Sequence, residues 1–278
     1  MEASQKQQLQ SLATDVRLLA LTGIYNAKSG HPGGSLSAAD VLTYLYFAEM
    51  NVDPADPKAD TRDRFVLSKG HAAPALYGVL AKKGFFPETE VASLRKLGAM
   101  LQGHPDMKAI PGVDMSTGSL GQGISTACGM AVAGKRLGKN YRVYAVLGDG
   151  ELEEGQVWEA AMFAGHYKLD NLCAFVDNNN LQIDGAIDTV CSPYPIGEKF
   201  AAFGWNVLAI DGHDFDQIEA ACKKARECKG KPTVIVCKTV KGKGVSFMEN
   251  MANWHGVAPN AEQYEAAVNE LKGGNENG

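Results

Sequence analysis

Five short runs rich in Val, Ile and Phe, at residues 64–68, 142–147, 172–178, 206–210 and 233–239, alternate with longer stretches of helical periodicity. This alternation constrains the fold more than any other feature of the chain. Each run is too short for a helix and is bounded by polar or glycine-containing segments. The helical patterns fall at 74–83, 119–137, 153–167, 194–203 and 214–229. Neighbouring parallel strands need a crossover, and a crossover helix buries its apolar stripe on the sheet, so both faces become covered. The expected fold class is therefore α/β: a three-layer αβα arrangement around a mostly parallel central sheet. Two more helices precede the first strand. One spans 7–27, where Leu9, Leu12, Val16, Leu19, Ala20 and Ile24 recur at helical spacing, and the other spans 37–50, with Ser37 as its cap and Asp40 in its first turn.

The 278-residue chain has 45% hydrophobic residues and a formal net charge of -5. That length allows one large core or two small ones, and no internal repeat or low-complexity linker divides it, so one domain is expected over residues 1–258. Residues 259–278 are expected to form a C-terminal helix, centred on 261–271, and a frayed polar tail. The shallow charge, with no block of like residues, argues against nucleic acid or an anionic membrane as partner. No run approaches the roughly 18 to 20 apolar residues that span a bilayer, and the polar start MEASQKQQLQ lacks the apolar run of a signal peptide. A cytoplasmic protein is expected. Cys128, Cys173, Cys191, Cys222, Cys228 and Cys237 are scattered, several within apolar runs, and read as reduced core residues instead of a zinc site or disulfide frame.

In open parallel sheets ligands bind beyond the carboxyl ends of the strands. Here those positions read Ser68-Lys69-Gly70-His71, Gly148-Asp149-Gly150, Asp177-Asn178-Asn179-Asn180, Asp211-Gly212-His213 and Lys241-Gly242-Lys243-Gly244. Run 142–147 passes directly into Gly148-Asp149-Gly150-Glu151, a carboxylate between two glycines at a helix start, where free backbone N–H groups favour an anion. If a short crossover makes the next strand its neighbour, Asp149 and an asparagine side chain are delivered to one place. A hard divalent cation takes oxygen ligands, and Mg²⁺ is usually held by one or two carboxylates plus phosphates and water. One carboxylate, one amide oxygen and one backbone carbonyl would leave positions for two phosphate oxygens, an arrangement suited to a diphosphate. Either segment alone reads as an ordinary turn; the joint spacing and the strand-end placement favour the site.

Four histidines lie in glycine- or proline-bearing loops: Ser29-Gly30-His31-Pro32-Gly33-Gly34, Gly70-His71, Gly103-His104-Pro105 and Trp254-His255-Gly256. Any one of them alone reads as a surface or structural residue. Four in such settings point to a site, because fixed backbone on either side gives an imidazole a set position and an open approach.

Gly148-Asp149-Gly150, with Asn179 thirty positions beyond Asp149, resembles the thiamine diphosphate signature. The segments SGHPGG, RFVLSKGHAAPALY, GHPD, STGSLGQG, LGDGELEEGQVWEA, YKLDNL and KTVKGKG resemble transketolase along nearly the whole chain. The resemblance implies a thiamine diphosphate-binding fold, with thiamine diphosphate and Mg²⁺ (or Ca²⁺) as cofactors. It implies metal ligation by Asp149, the Asn179 side chain and the Leu181 carbonyl. Cofactor contacts are implied for Gly118, Ser119 and Leu120, for Gly148, Gly150 and Glu151, and for Lys69, His71, Lys241 and His255. His31, His71, His104 and His255 become catalytic residues along the thiazolium and the sugar channel, a task suited to imidazole, whose pKa lies near neutrality. Glu154 matches a carboxylate network that crosses the family's dimer interface. Glu151 and Glu153 also read as helix-start charges favoured by the helix dipole, and His166 and His213 as structural. One departure is Gly34, where many transketolases have a hydroxyl residue near the diphosphate.

The implied activity is transfer of a two-carbon ketol unit from a ketose phosphate to an aldose phosphate, as in the pentose phosphate pathway. Transketolases carry a second domain that binds the aminopyrimidine, and this chain stops before it. The expectation is a split enzyme whose partner is a separate carboxy-terminal transketolase subunit, the two forming an α2β2 heterotetramer with sugar phosphates as substrates. The α subunit of a 2-oxo acid dehydrogenase shares the metal motif, but the SGHPGG, SKGHAAP and WHG segments favour transketolase. Deoxyxylulose phosphate synthase normally keeps both domains in one chain. A transketolase-like non-catalytic binding module is the remaining alternative, and intact Asp149, Asn179 and histidines argue against it.

Overall fold

The computed structural model describes residues 1–273. Five parallel strands form its central sheet: β1 (Arg64–Leu67), β2 (Val143–Gly148), β3 (Leu172–Asn178), β6 (Asn206–Asp211) and β7 (Thr233–Lys238), in the order β1-β2-β3-β7-β6. Two short strands, β4 (Leu181–Gln182) and β5 (Gly185–Ala186), make an antiparallel hairpin just beyond β3, and a single helical turn, α6 (Ile187–Val190), follows it. Successive residues of a strand point to opposite faces, and the two main cores divide accordingly. Phe65, Leu67, Tyr144, Val146, Cys173, Phe175, Ile235 and Cys237 enter one core; Val66, Val143, Ala145, Leu147, Leu172, Ala174, Val176 and Val234 enter the other.

The first core is closed by α1 (Ala3–Ala27), α2 (Pro32–Tyr44), α3 (Ala73–Lys83) and α8 (Phe215–Glu227). The second is closed by α4 (Gln122–Arg136), α5 (Gly155–His166) and α7 (Ile196–Ala202). The expected three-layer αβα architecture is thus the observed one. Every residue of α2 is buried, and two of its polar side chains, Ser37 and Asp40, are satisfied by bonds to Asp177 and Arg17.

The largest differences from expectation lie at helix starts, and α1 already begins at Ala3, four residues before the expected start at 7. The second helix begins at Pro32, five residues before Ser37, and continues beyond Tyr44 as a π-helical turn, Leu45–Glu49. Two glycines are poor helix formers, but Pro32 at the first position presets its φ and its missing N–H is not needed there. Ser37 is therefore inside the helix, where its hydroxyl donates to Asp177 Oδ2 at 2.6 Å instead of capping. The fourth helix starts at Gln122 because Gly121 adopts φ +81°, which leaves Gly118-Ser119-Leu120 in a loop. Near the chain's end, α9 (Ala261–Gly273) packs on α1 through Leu21, Ala267 and Leu271, and Tyr264 stacks on Tyr25 with ring centres 4.3 Å apart. Of the GGNENG end expected to fray, residues 273–278, Gly273 closes α9 and residues 274–278 lie outside the described residues. No helix among the described residues is long and apolar enough to cross a membrane. Among them all six cysteines are free, four of them buried, while Cys191 is exposed and Cys228 half-buried.

Candidate active site

β2 and β3 are hydrogen-bonded neighbours in parallel register, Val143 opposite Leu172 and Gly148 opposite Asp177, so both chains leave the sheet side by side. Asp149 and Asn179 follow those tips and line one pocket together with Leu181. Asp149 Oδ1 accepts the Gly150 N–H at 2.9 Å and its Oδ2 accepts the Asn180 N–H at 2.6 Å. The Asn179 amide oxygen accepts the Leu181 N–H at 3.2 Å. The Leu181 carbonyl accepts from Lys241 Nζ at 2.9 Å. Each of these oxygens retains a lone pair after its bond within the chain.

Burial, and then the nearby Asp177 carboxylate, push the Asp149 pKa up to about 7, against the pull of its two N–H donors. A carboxylate in that condition is returned to its charged form by a cation placed against it. Among the described residues no three His, Cys, Asp or Glu side chains gather as a complete metal cage. One carboxylate, one amide and one carbonyl fit a hard divalent cation that draws its remaining oxygens from a ligand.

Behind the pocket, Asp177 is fully enclosed. It accepts from Ser37 (2.6 Å), from Asn179 Nδ2 (3.3 Å), and in close contacts from Lys69 Nζ and Thr239 Oγ1. Burial alone would raise its pKa, but the Lys69 ammonium and the hydroxyl donors hold it below the usual carboxylate range. Lys69 lines the pocket with its charge committed to Asp177 and, at 3.0 Å, to the Gly34 carbonyl. Gly34 keeps that region open: a Cβ there would stand 3.3 Å from both Lys69 Nζ and His71 Nε2.

Glu151 corrects the expectation of a helix-start charge. It is 2% exposed, and its carboxylate accepts the Gly121 N–H at 2.9 Å, the Gly148 N–H at 3.0 Å and, more closely still, the Ser68 hydroxyl. It therefore ties the ends of β1 and β2 to the glycine loop before α4. Glu153 is not simply a helix-start charge either, since it accepts both of its bonds from Gln182 Nε2, at 2.8 and 3.0 Å. Glu154 is exposed at the N-cap of α5.

The four loop histidines converge. Ring centres lie 5.2 Å apart for His31 and His71, 5.4 Å for His31 and His255, 5.2 Å for His71 and His255, and 6.5 Å for His31 and His104. Burial is the largest influence on each of them. It lowers His31 to about 4 with help from Arg95, lowers His255 to about 3 with help from Lys241, and takes His71 well below its ordinary value. His104, exposed at the rim, is lowered by burial and by Arg95. All four are neutral near pH 7, so each ring can offer one donor and one acceptor. His31 Nδ1 is buried with no hydrogen-bond partner among the described residues. Lys241 is buried against the Leu181 carbonyl and His255 Nδ1, each at 2.9 Å, and its pKa is lowered to about 8 by burial and by Lys69.

The pocket beside Asp149 also holds Leu120, Gly148, Gly150 and Glu151, whereas Gly118 and Ser119 line an adjoining hollow with His104. Gly118 is pressed between the two, its backbone N 2.7 Å from where a Gly70 Cβ would be and its own Cβ position 3.1 Å from the His104 ring. His166 and His213 stay outside the cluster. Three residues absent from the sequence-based set belong beside it: Gln182 and Ile183, which line the pocket from the β4–β5 hairpin, and Arg95, whose guanidinium lies against Gly103. Gln182 and Ile183 directly follow Leu181, a signal that could have found them. Arg95 falls between the helical patterns at 74–83 and 119–137 and carries no such signal.

Residues 8–275 match the family model for transketolase, thiamine diphosphate binding domain. Over 270 residues the chain is 47% identical to the 6-deoxy-6-sulfo-D-fructose transketolase subunit of Clostridium sp. (strain MSTE9), covering 97% of this chain and 98% of that one. It is 45% identical to an apulose-4-phosphate transketolase subunit of Phocaeicola vulgatus, covering 95% and 93% respectively. Mouse transketolase is 44% identical, with 95% of this chain matched to 42% of that protein. Among solved structures, the transketolase of Campylobacter jejuni superposes with a TM-score of 0.91 at 33% identity, over 98% of this chain and 43% of that one. The chain belongs to the transketolase family and spans its thiamine diphosphate-binding domain. It covers less than half the length of the whole transketolases it matches.

Proposed function

We propose that this chain is the amino-terminal subunit of a cytoplasmic thiamine diphosphate-dependent transketolase of the pentose phosphate type. It transfers a two-carbon ketol unit from a ketose phosphate to an aldose phosphate, together with a separate carboxy-terminal subunit, in a complex containing two copies of each. The observation that carries this reading is the convergence of Asp149, Asn179 and the Leu181 carbonyl on a pocket shared with His71, His255 and Lys241. Relatives described as transketolase subunits support the split arrangement, because they match over nearly their whole length. Both of their names refer to sugars with an anionic group, in keeping with a sugar phosphate substrate.

In this reading Asp149, the Asn179 amide oxygen and the Leu181 carbonyl are the protein ligands of Mg²⁺ or Ca²⁺, and the diphosphate supplies further oxygens. Bound thiamine diphosphate supplies the carbon nucleophile that adds to the ketose carbonyl. Leu120 and Gly118-Ser119 bound the cofactor's ring region, and Gly148, Gly150 and Glu151 shape the backbone around its phosphates. His31, His71 and His255, neutral and clustered, hold sugar hydroxyls and pass protons, while His104 meets the sugar at the rim. Lys241 keeps the Leu181 carbonyl and His255 in place. Exposed Glu154 is available to a carboxylate network at a subunit interface.

The test is to assay the purified chain alone and mixed with its carboxy-terminal subunit, supplying thiamine diphosphate, Mg²⁺ and a ketose phosphate–aldose phosphate pair. Ketol transfer is expected in the mixture alone, with no decarboxylation of a 2-oxo acid. Substantial ketol transfer by this chain without a partner would overturn the split-enzyme reading, and 2-oxo acid decarboxylation would overturn the assignment of reaction.

A further inference from the structure

The Asp211-Gly212-His213 turn after β6 lies outside the pocket, yet it is wired to it. Gly212 is required there: a Cβ would stand 2.6 Å from Thr239 Cγ2 and 2.9 Å from Cys237 Cβ, so only glycine lets the turn lie against the end of β7. The Gly212 N–H donates to the Lys238 carbonyl at 2.8 Å, and the His213 N–H donates to Asp211 Oδ1 at 2.8 Å. These bonds aim the imidazole inward, between α2 and the segment that follows β7.

Both ring nitrogens of His213 are used. Nδ1 lies 2.6 Å from Asp40 Oδ2, and Nε2 lies 2.9 Å from the Val240 backbone nitrogen. A carboxylate only accepts and an amide N–H only donates, so the ring is the neutral Nδ1–H tautomer, donating to Asp40 and accepting from Val240. Asp40 is fixed in turn by Arg17 of α1 through both oxygens, at 2.5 and 3.1 Å, while Arg17 Nε donates to the Leu36 carbonyl at 3.2 Å. Burial works to raise the Asp40 pKa, but Arg17 and the His213 bond hold it below the usual carboxylate range. Arg17, Asp40 and His213 thus form a chain of directed bonds running from two helices to one backbone amide.

Val240 immediately precedes Lys241, whose ammonium holds the Leu181 carbonyl and His255 Nδ1. On either side of that amide the segment is tied by main-chain carbonyls, the Thr239 N–H to Asn178 and the Gly242 N–H to Gly33. Of these three backbone N–H ties, the one at Val240 is made to a side chain, and so a substitution can remove it. We propose that His213 is a positioning residue for the cofactor pocket, setting the segment that presents Lys241 to the Leu181 carbonyl and His255. This rests on the reading of that pocket given above. It also gives a function to a histidine that the sequence marks as structural.

The test uses the reconstituted two-subunit complex and two readouts, the dissociation constant for thiamine diphosphate with Mg²⁺ by calorimetry and the hydrogen exchange of the 239–243 segment. His213→Leu fills the site but makes neither bond. It is expected to speed exchange at Val240 and to weaken cofactor binding about tenfold, the scale seen when outer-shell partners of a metal site are lost. His213→Gln can donate and accept, and is expected to restore both readouts in large part. If the leucine variant does not fold, His213→Asn, too short to reach both partners, replaces it with the same expectation. Unchanged affinity in the leucine or asparagine variant, while wild type binds the cofactor, would overturn the inference alone. Failure of the wild-type complex to bind the cofactor at all would overturn the reading of the pocket and, with it, the inference.

Discussion

His31 illustrates how one residue's surroundings set both its chemistry and its effect on stability. Its ring is held neutral by burial and by the Arg95 guanidinium, so the folded chain takes up a proton there only near pH 4, whereas the unfolded chain does so near 6.5. As pH falls through 6.5 the unfolded state binds protons first, and the stability present above that value is lost progressively toward pH 4. In urea unfolding between pH 7.5 and 4.5, the wild-type midpoint is expected to decline relative to that of His31→Gln; an identical pH dependence in the two would contradict the assigned burial. Much of this site was legible only in combination, since the spacing of Asp149 and Asn179 at strand ends and four histidines in glycine- or proline-bearing loops point together to a site that none of them marks alone. Glu151 was not, because a carboxylate in a first helical turn looks like a dipole partner until its three donors, from three different segments, are seen. Lys69 was legible as an active-site cation, but its pairing with Asp177 depends on strand tips brought together from distant parts of the sequence.

At the scale of elements, the strands could be placed from the sequence to within about a residue, because β-branched runs and their glycine-rich ends are local signals. Their order β1-β2-β3-β7-β6 was not encoded locally, since pairing follows from which helices cover which face. Helix starts were harder. Pro32 and Gly121 set two of them through backbone conformation, while Ser37 and Ser119 carried the stronger compositional signals. The contact of α4 with β1 gives an element-scale prediction. A Cβ on Gly123 would lie 2.6 Å from the Ser68 Cα and from its hydroxyl oxygen. Alanine would gain about 1 kcal/mol of helix propensity, against roughly 1–3 kcal/mol for overpacking. Because one of the opposed atoms is backbone and cannot rotate away, overpacking wins. Gly123→Ala is expected to lower the denaturation midpoint and to disturb the Ser68–Glu151 link; a midpoint at or above wild type would contradict it.

For the whole molecule, the sheet acts as a jig. Parallel strands carry every polar tip to one edge, two helical layers exclude water from behind it, and the tips of β2 and β3 set an aspartate and an asparagine side by side. Nothing in the composition requires a cation there, but a buried carboxylate pushed up to about 7 and flanked by an amide oxygen is poised for one. α9 and the segment after β7 complete the frame through the small core of Leu21, Leu36, Val245, Met248, Ala267 and Leu271. The most direct measurement is calorimetric titration of thiamine diphosphate into the two-subunit complex, with Mg²⁺ and then with chelator, for wild type and Asp149→Ala. Metal-dependent uptake by wild type and a loss of at least a hundredfold in affinity for the variant, about 2.7 kcal/mol, are expected. Uptake that persists unchanged in Asp149→Ala, or in wild type without divalent metal, would contradict the account.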